Sequence, residues 1–244
     1  MTDRIMTENK YWRPSVYDPK DYQRITYDPG LVTRIILNRP RYLNALSHAL
    51  LAELRDAWDK ASEDENCHVI VLSGAGTSFC SGDDVIGLTP ESAPTLWDGD
   101  ARPVPKLIEE YGSESAVWHQ YNIEHDHLVG GPLMQKLRFV PKPTIAMVHG
   151  YAIAMGTMLA TAMDLCFAEE NALFLGPPGG VWGMGPRKVL EFAYERRFVT
   201  AREALELNVI NRVFPDYETL ERETMAFAYR VAHEPLVGLR RSKE

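Results

Sequence analysis

The run from Ile145 to Met163, IAMVHGYAIAMGTMLATAM, constrains this chain more than any other segment. Its length approaches that of a membrane span. Yet it carries His149, two glycines and two threonines, and Asp164 follows at once. A buried strand ending near His149, turning on Gly150 and continuing as a buried helix accounts for all of these features. Such a unit needs apolar partners from the surrounding sequence.

Short extended runs and helical patterns alternate along the chain. RITYDPGLVTRIILN reads as a β-hairpin, with turn chemistry at Asp28-Pro29-Gly30 and β-branched flanks. Ser47 is placed to cap a helix reaching about Ser62, with Leu50, Leu54, Trp58 and Ala61 on one face. HVIVL at 68–72 is a buried strand, followed by the glycine-containing loop SGAGTSFCSGDD. Residues 88–133 mix Pro, Gly, charge and aromatics and read as an insertion with some helix. PTIAMVHG is a strand, and LCFA and ALFL are short extended pieces.

PRKVLEFAYERR reads as a helix with Pro186 in its first turn. Thr200 and Glu203 have capping-box spacing for AREALEL, with Asn208 as a left-handed C-cap. VINRVF is a strand. Asp216 caps a last long helix with Leu220, Phe227 and Val231 inward. The expected class is α/β. The organisation expected is an arm over 1–23, a core over 24–215 and the start of a helical region over 216–244.

A length of 244 residues suits one large domain, or a domain with a small helical appendage. Hydrophobic residues at 45% and charged residues at 25% exclude wholesale disorder. With 26 basic against 34 acidic residues the net charge is −8, which disfavours a predominantly electrostatic nucleic-acid binder. Cys67, Cys80 and Cys166 form neither a CxxC pair nor an even set, so a reduced, cytoplasmic protein is expected. The polar N-terminus has no apolar core of a signal peptide, and no membrane association is expected.

Two turns carry the chemistry. Ser78 to Asp84, SFCSGDD, follows a buried strand. Gly150 to Gly156, GYAIAMG, joins a buried strand to a buried helix. Backbone N–H groups at such turns and helix starts lack local partners. Two that converge form an oxyanion hole, which stabilises negative charge developing on a carbonyl oxygen. Glycine turns of this kind also serve simply to pack a strand against a helix.

RPRYLNALS, VIVLSGAGTSFCSGDD, PKPTIAMVHGYAIAMG and AREALELNVINRVFP resemble, in order and spacing, successive motifs of the crotonase, or enoyl-CoA hydratase/isomerase, superfamily. The resemblance runs from about residue 24 to the end. It implies a crotonase-like spiral of ββα units with a C-terminal helical extension, acting on an acyl-CoA thioester. It places the oxyanion N–H groups on Asp83 and Met155. It places coenzyme A contacts, largely backbone, around Arg41, Tyr42, Leu43, Ala45 and Ser81, with Arg39 and Arg41 available to the phosphates. It implies a homotrimer or a dimer of trimers. Coenzyme A enters as part of the substrate, and no separate cofactor is expected.

The departures from the family pattern bear on the reaction. Its hydratases hold water between two glutamates. Met158 stands at the first glutamate position and Pro178 at the second, and methionine neither takes nor gives a proton. The loop near 178–181 reads as about a dozen residues shorter than usual, and PLVGLRRSKE stops where members usually continue into further helices. WGMGPRK followed by EFAYERRFVTAREA resembles a branch known mainly as enoyl-CoA hydratases that also carries Met at the first position.

Replacement base candidates lie in the insertion: Glu124 and His125, with His119, Tyr121 and His127 beside them, in a stretch that otherwise reads as a polar surface loop. His125 and His127 lack an evident third ligand, so no metal is expected. Cys80 has no thiolate-promoting neighbour and reads as packing. Asp84 reads as a structural cap, and Asp83 as contributing its N–H rather than its carboxylate.

The working expectation is hydration or isomerisation of a 2-enoyl-CoA. The alternatives are hydrolysis of a CoA thioester, C–C cleavage, and a non-catalytic acyl-CoA binding protein.

Overall fold

The computed structural model describes residues 21–84, 112–113, 131–176 and 185–243. Its centre is a six-stranded sheet in the order β1-β2-β3-β4-β6-β9. The strands are β1 (Ile25–Asp28), β2 (Val32–Leu37), β3 (Val69–Gly74), β4 (Thr144–Val148), β6 (Leu165–Glu169) and β9 (Arg212–Phe214). β1 pairs antiparallel with β2 as the expected hairpin, and every later neighbour is parallel. A second sheet of three strands is built from β5 (Tyr151–Ile153), β7 (Leu173–Leu175) and β8 (Val199–Thr200).

The parallel strands are apolar on both faces because helices cover both. On one face Ile35, Leu37, Ile70, Leu72, Ala146 and Val148 pack against α1 (His48–Glu63) and α3 (Met155–Ala162). On the other, Val69, Val71, Ile145, Met147 and Phe167 meet Leu220, Ala228 and Ala232 of α6 (Tyr217–Ala232). Alternate residues of each strand thus divide between two cores.

α1 forms as its spacing predicts. Ser47 Oγ accepts the Leu50 N–H at 3.3 Å, and Leu50, Leu54, Trp58 and Ala61 are buried. Each fully buried leucine contributes about 2 kcal/mol. The far end of α1 is held by a buried lysine. Lys142 Nζ donates to the carbonyls of Ala61 and Asp64, both at 2.6 Å, placing a cation at the C-terminal end of the helix. Burial pushes the Lys142 ammonium below its ordinary range.

Several expectations are corrected. The segment between Gly150 and Gly156 is not only a turn, because β5 pairs with β7 along its middle. Helix α2 (Gly131–Arg138) begins within the insertion, where some helix is expected, and runs past its expected end. VINRVF is extended only from Arg212, because the Val209 and Ile210 N–H groups close α5 (Ala201–Glu206) on Ala204 O. Half of the capping box forms. Thr200 Oγ1 accepts the Glu203 N–H at 3.2 Å, while the Glu203 carboxylate turns to Arg197. In α6 the fully buried stripe is Leu220, Thr224, Ala228 and Ala232, with Phe227 and Val231 half-buried beside it. The remaining helices are α4 (Pro186–Glu195), with Pro186 in its first turn as expected, and α7 (Leu236–Lys243).

Candidate active site

The site is built where three segments interlock at the C-terminal ends of β3 and β4. The first is the β4–α3 connection. Gly150 has φ +55, and a Cβ there would lie 2.1 Å from Thr77 O, so only glycine fits. Three residues of β5 then lead to Ala154, a non-glycine residue at φ 48 and ψ −114. Such positive φ is disfavoured for any residue with a Cβ. It turns the chain sharply into α3, so that Met155 opens the helix with its N–H ahead of the helical ladder, whose bond from Met158 N runs to Ala154 O at 3.0 Å.

The second segment, residues 80–84, lies between β5 and the 40–46 turn. Cys80 faces β5, since its N–H donates to Tyr151 O at 2.9 Å and its carbonyl accepts the Ile153 N–H at 3.0 Å. Ser81 N, Gly82 O and Asp84 N bond the other edge, to Leu43 O, Leu46 N and Leu46 O. The N–H of a trans peptide points opposite its carbonyl, so the Gly82–Asp83 peptide, whose oxygen accepts from Leu46 N, directs the Asp83 N–H away from the 40–46 turn. The approach is close. A Cβ on Gly82 would lie 2.7 Å from Ile153 O, and one on Gly156 would lie 2.3 Å from Cys80 O. Asp83 and Met155 thus belong to two backbone turns locked against each other.

The third segment is the turn around Pro40–Tyr42. Asn44, buried at φ 56, holds it: its side chain accepts the Arg39 N–H and donates to Ala75 O and Ser78 O at 2.8 and 2.7 Å. Tyr42 and Leu43 stand exposed beside Ser81, whose hydroxyl donates to Tyr42 O at 3.4 Å. Arg41 is also exposed. Ala45 is buried, and its N–H and carbonyl are spent on Tyr42 and on Ser47 and Arg39. Arg39 is also turned inward. Its guanidinium pairs with Asp84 at 2.8 Å, donates to Ala45 O at 2.6 Å and lies over the Tyr42 ring. That pairing gives Asp84 a structural role as an ion-pair partner and leaves Arg41 as the outward-facing cation of the two.

The side chains around these turns are mostly unsuited to proton transfer. Met158 is half-buried and packs on the core one turn into α3, and the other residues of α3 are Met, Gly, Thr, Leu and Ala. Cys80 is fully buried, and burial pushes its thiol up to about 12, which fits packing rather than nucleophilic attack. Glu124, His125, His119, Tyr121, His127 and Pro178 lie outside the described residues. No cluster of His, Cys, Asp or Glu suited to a metal occurs among the described residues.

Sequence reasoning missed Asn44 and Thr157. Thr157 is fully buried, and its hydroxyl lies 2.6 Å from Ala152 O and 2.9 Å from Leu175 O. An Asn in a tight turn is a recognised signal for left-handed backbone. Nothing local marks Thr157.

A parallel sheet covered on both faces, with two locked glycine turns at its strand ends, defines an α/β protein. Comparison with known proteins makes this specific. Residues 32–180 and 119–244 match two family models, both described as enoyl-CoA hydratase/isomerase. EchA13 of Mycobacterium tuberculosis, which carries an enoyl-CoA hydratase name, is 31% identical over 93% of this chain and 74% of its own length. A probable enoyl-CoA hydratase from Mycobacterium smegmatis superposes with a TM-score of 0.72 at 30% identity, covering 91% of this chain and 84% of that one. One from Mycobacterium thermoresistibile gives 0.68 at 34% identity, covering 90% and 83%. The chain belongs to the enoyl-CoA hydratase/isomerase family, and its α/β architecture is the crotonase fold.

Proposed function

We propose that this enzyme polarises the thioester carbonyl of an acyl-CoA between the N–H groups of Asp83 and Met155, and that water adds to a 2-enoyl-CoA there. The observation that carries this reading is the interlock of residues 80–84 with the Ala154–Met155 corner. It fixes two backbone donors without spending a side chain. Donors held in this way need no reorganisation as charge develops on the carbonyl oxygen. The exposed rim of Arg41, Tyr42 and Leu43 beside Ser81 suits the nucleotide end of the ligand, with Arg41 toward a phosphate.

Met158 favours a second reading, hydrolysis or C–C cleavage of a CoA thioester. The carbonyl is polarised in the same way, but a base from the Glu124–His125 stretch serves the water. LC–MS of crotonyl-CoA and of an aryl enoyl-CoA after incubation separates the two. A product heavier by one water with CoA attached supports hydration. Free CoA with a carboxylic acid overturns hydration for that substrate. Binding without turnover of any CoA thioester overturns both in favour of a binding protein.

The same reading includes a homotrimer or dimer of trimers in the cytoplasm. Tyr151 and Phe198, exposed and in ring contact, offer apolar area for self-association, and three buried free cysteines suit a reducing compartment. Light scattering on the purified protein tests the assembly. No helix among the described residues is long and apolar enough to cross a membrane.

A further inference from the structure

The Ala154–Met155 corner has an unusual support. Helix starts are ordinarily capped by Ser, Thr, Asp or Asn, whose side chains bond the first free N–H groups. Here the capping residue is Ala154, which makes no side-chain cap and sits at φ 48. A strained residue persists only where its surroundings over-determine it. The surroundings are visible. The Ala154 N–H donates to Leu175 O at 2.7 Å, and Gly176, at φ +94, comes so close that a Cβ on it would lie 3.1 Å from Ala154 Cα.

Thr157 completes the brace. A helical threonine ordinarily returns its hydroxyl to a carbonyl three or four residues back. Thr161, one turn on, does this, donating to Thr157 O at 2.7 Å. Thr157 does not. Its hydroxyl reaches Ala152 O at 2.6 Å, five residues back in β5, and Leu175 O at 2.9 Å, in β7. The one proton is shared between two carbonyls that flank the corner. The third residue of α3 is thereby tied to the strand before the helix and to the neighbouring strand that also holds Ala154.

We infer that Thr157 is a positioning residue: its hydroxyl, by bridging β5 and β7 to the first turn of α3, sets the direction of the Met155 N–H toward the substrate carbonyl. This rests on the reading of Met155 as an oxyanion donor. Thr157 touches no reacting atom. It acts through the angle of the Ala154–Met155 peptide, and small displacements of such a donor are costly because its stabilisation is geometric.

The test pairs kinetics with a spectroscopic signature of the full-length enzyme. Thr157→Val keeps the branched shape and removes the hydroxyl, and Thr157→Ser restores it. With the best CoA thioester found, T157V is expected to lower kcat about 10- to 100-fold with KM little changed, and T157S to recover most of the loss. Butyryl-CoA labelled with carbon-13 at the carbonyl reports polarisation without hydration. In the wild type its carbonyl stretch moves to lower frequency on binding, and in T157V it returns toward the solution value. A wild-type shift left intact by T157V, with kcat unchanged, overturns the role of Thr157. No shift in the bound wild type overturns the oxyanion reading itself, a separate failure. If T157V does not fold, Thr157→Cys, near in shape with a weak donor, is read by the same two measurements and the same outcomes.

Discussion

Arg39 Nη2 and Asp84 Oδ2 lie 2.8 Å apart, with both side chains mostly shielded from water. The pair joins the 39–46 turn to residues 80–84 through side chains, in parallel with the backbone bonds between Leu46 and residues 82 and 84. Removing one partner leaves a shielded charge without its opposite charge, which costs more than an exposed pair is worth. Asp84→Asn is expected to destabilise the fold by about 1–3 kcal/mol. A double-mutant cycle with Arg39→Met, followed by urea denaturation, should return a coupling above about 0.5 kcal/mol. Additive effects would remove the pair from the account of the loop.

Met158 occupies the position at which a proton-transferring glutamate is expected, and it packs against the core. If its contribution is volume alone, a volume-conserving exchange is tolerated. Met158→Leu should cost less than about 1.5 kcal/mol and leave the product distribution and kcat close to wild type. The same LC–MS assay checks this. A collapse of turnover with stability retained would show that the thioether itself touches the reacting acyl group.

Cys80 lies between the two turns, yet it is sealed from solvent and its thiol is held near 12, so almost no thiolate exists at neutral pH. Cys67 and Cys166 are also buried and free. A disulfide-exchange reagent at about pH 8 should therefore leave these thiols unreacted in the native protein and count all of them once it is unfolded. Cys80→Ala should keep turnover. Rapid native labelling at Cys80 with loss of activity would restore the nucleophile that burial argues against.

The fold was legible where local pattern decides structure. Ser47 and the run Leu50, Leu54, Trp58, Ala61 specify α1 by themselves, and Asp28-Pro29-Gly30 specifies the hairpin. The site was legible only as two turns. What holds it is long-range: Asn44 bonds Ser78 from 34 residues away, and Thr157 reaches Leu175 from 18. No periodicity reports a partner that topology delivers from another strand. Arg39 misled for the same reason. A surface arginine beside a ligand loop reads as a phosphate contact until Asp84 is brought against it by β3. β5 was hidden because its three residues are extended only by pairing with β7.

His149 makes the stability of the fold depend on pH. It follows β4 beside Gly150, is buried, donates through Nε2 to Gly76 O at 3.0 Å, and meets the Tyr217 ring edge-on with centroids 4.8 Å apart. Since Gly76 O only accepts, Nε2 carries the proton and the neutral ring leaves Nδ1 buried as an acceptor with no partner among the described residues. Burial lowers its pKa below the ordinary value, against smaller opposing effects of the Gly76 carbonyl and Glu169. In the unfolded chain the group titrates near about 6.5. Between that value and the lower folded one, the unfolded state binds more protons, so stability rises with pH through the window. The contribution is complete above about pH 6.5 and is lost as acid protonates a ring that has no acceptor for a second proton among the described residues. Urea unfolding of wild type and His149→Gln at about pH 7.5 and 5.5 should therefore show the wild type losing more stability on acidification than the variant. Parallel losses would mean that the ring gains a partner for its second proton in the native protein.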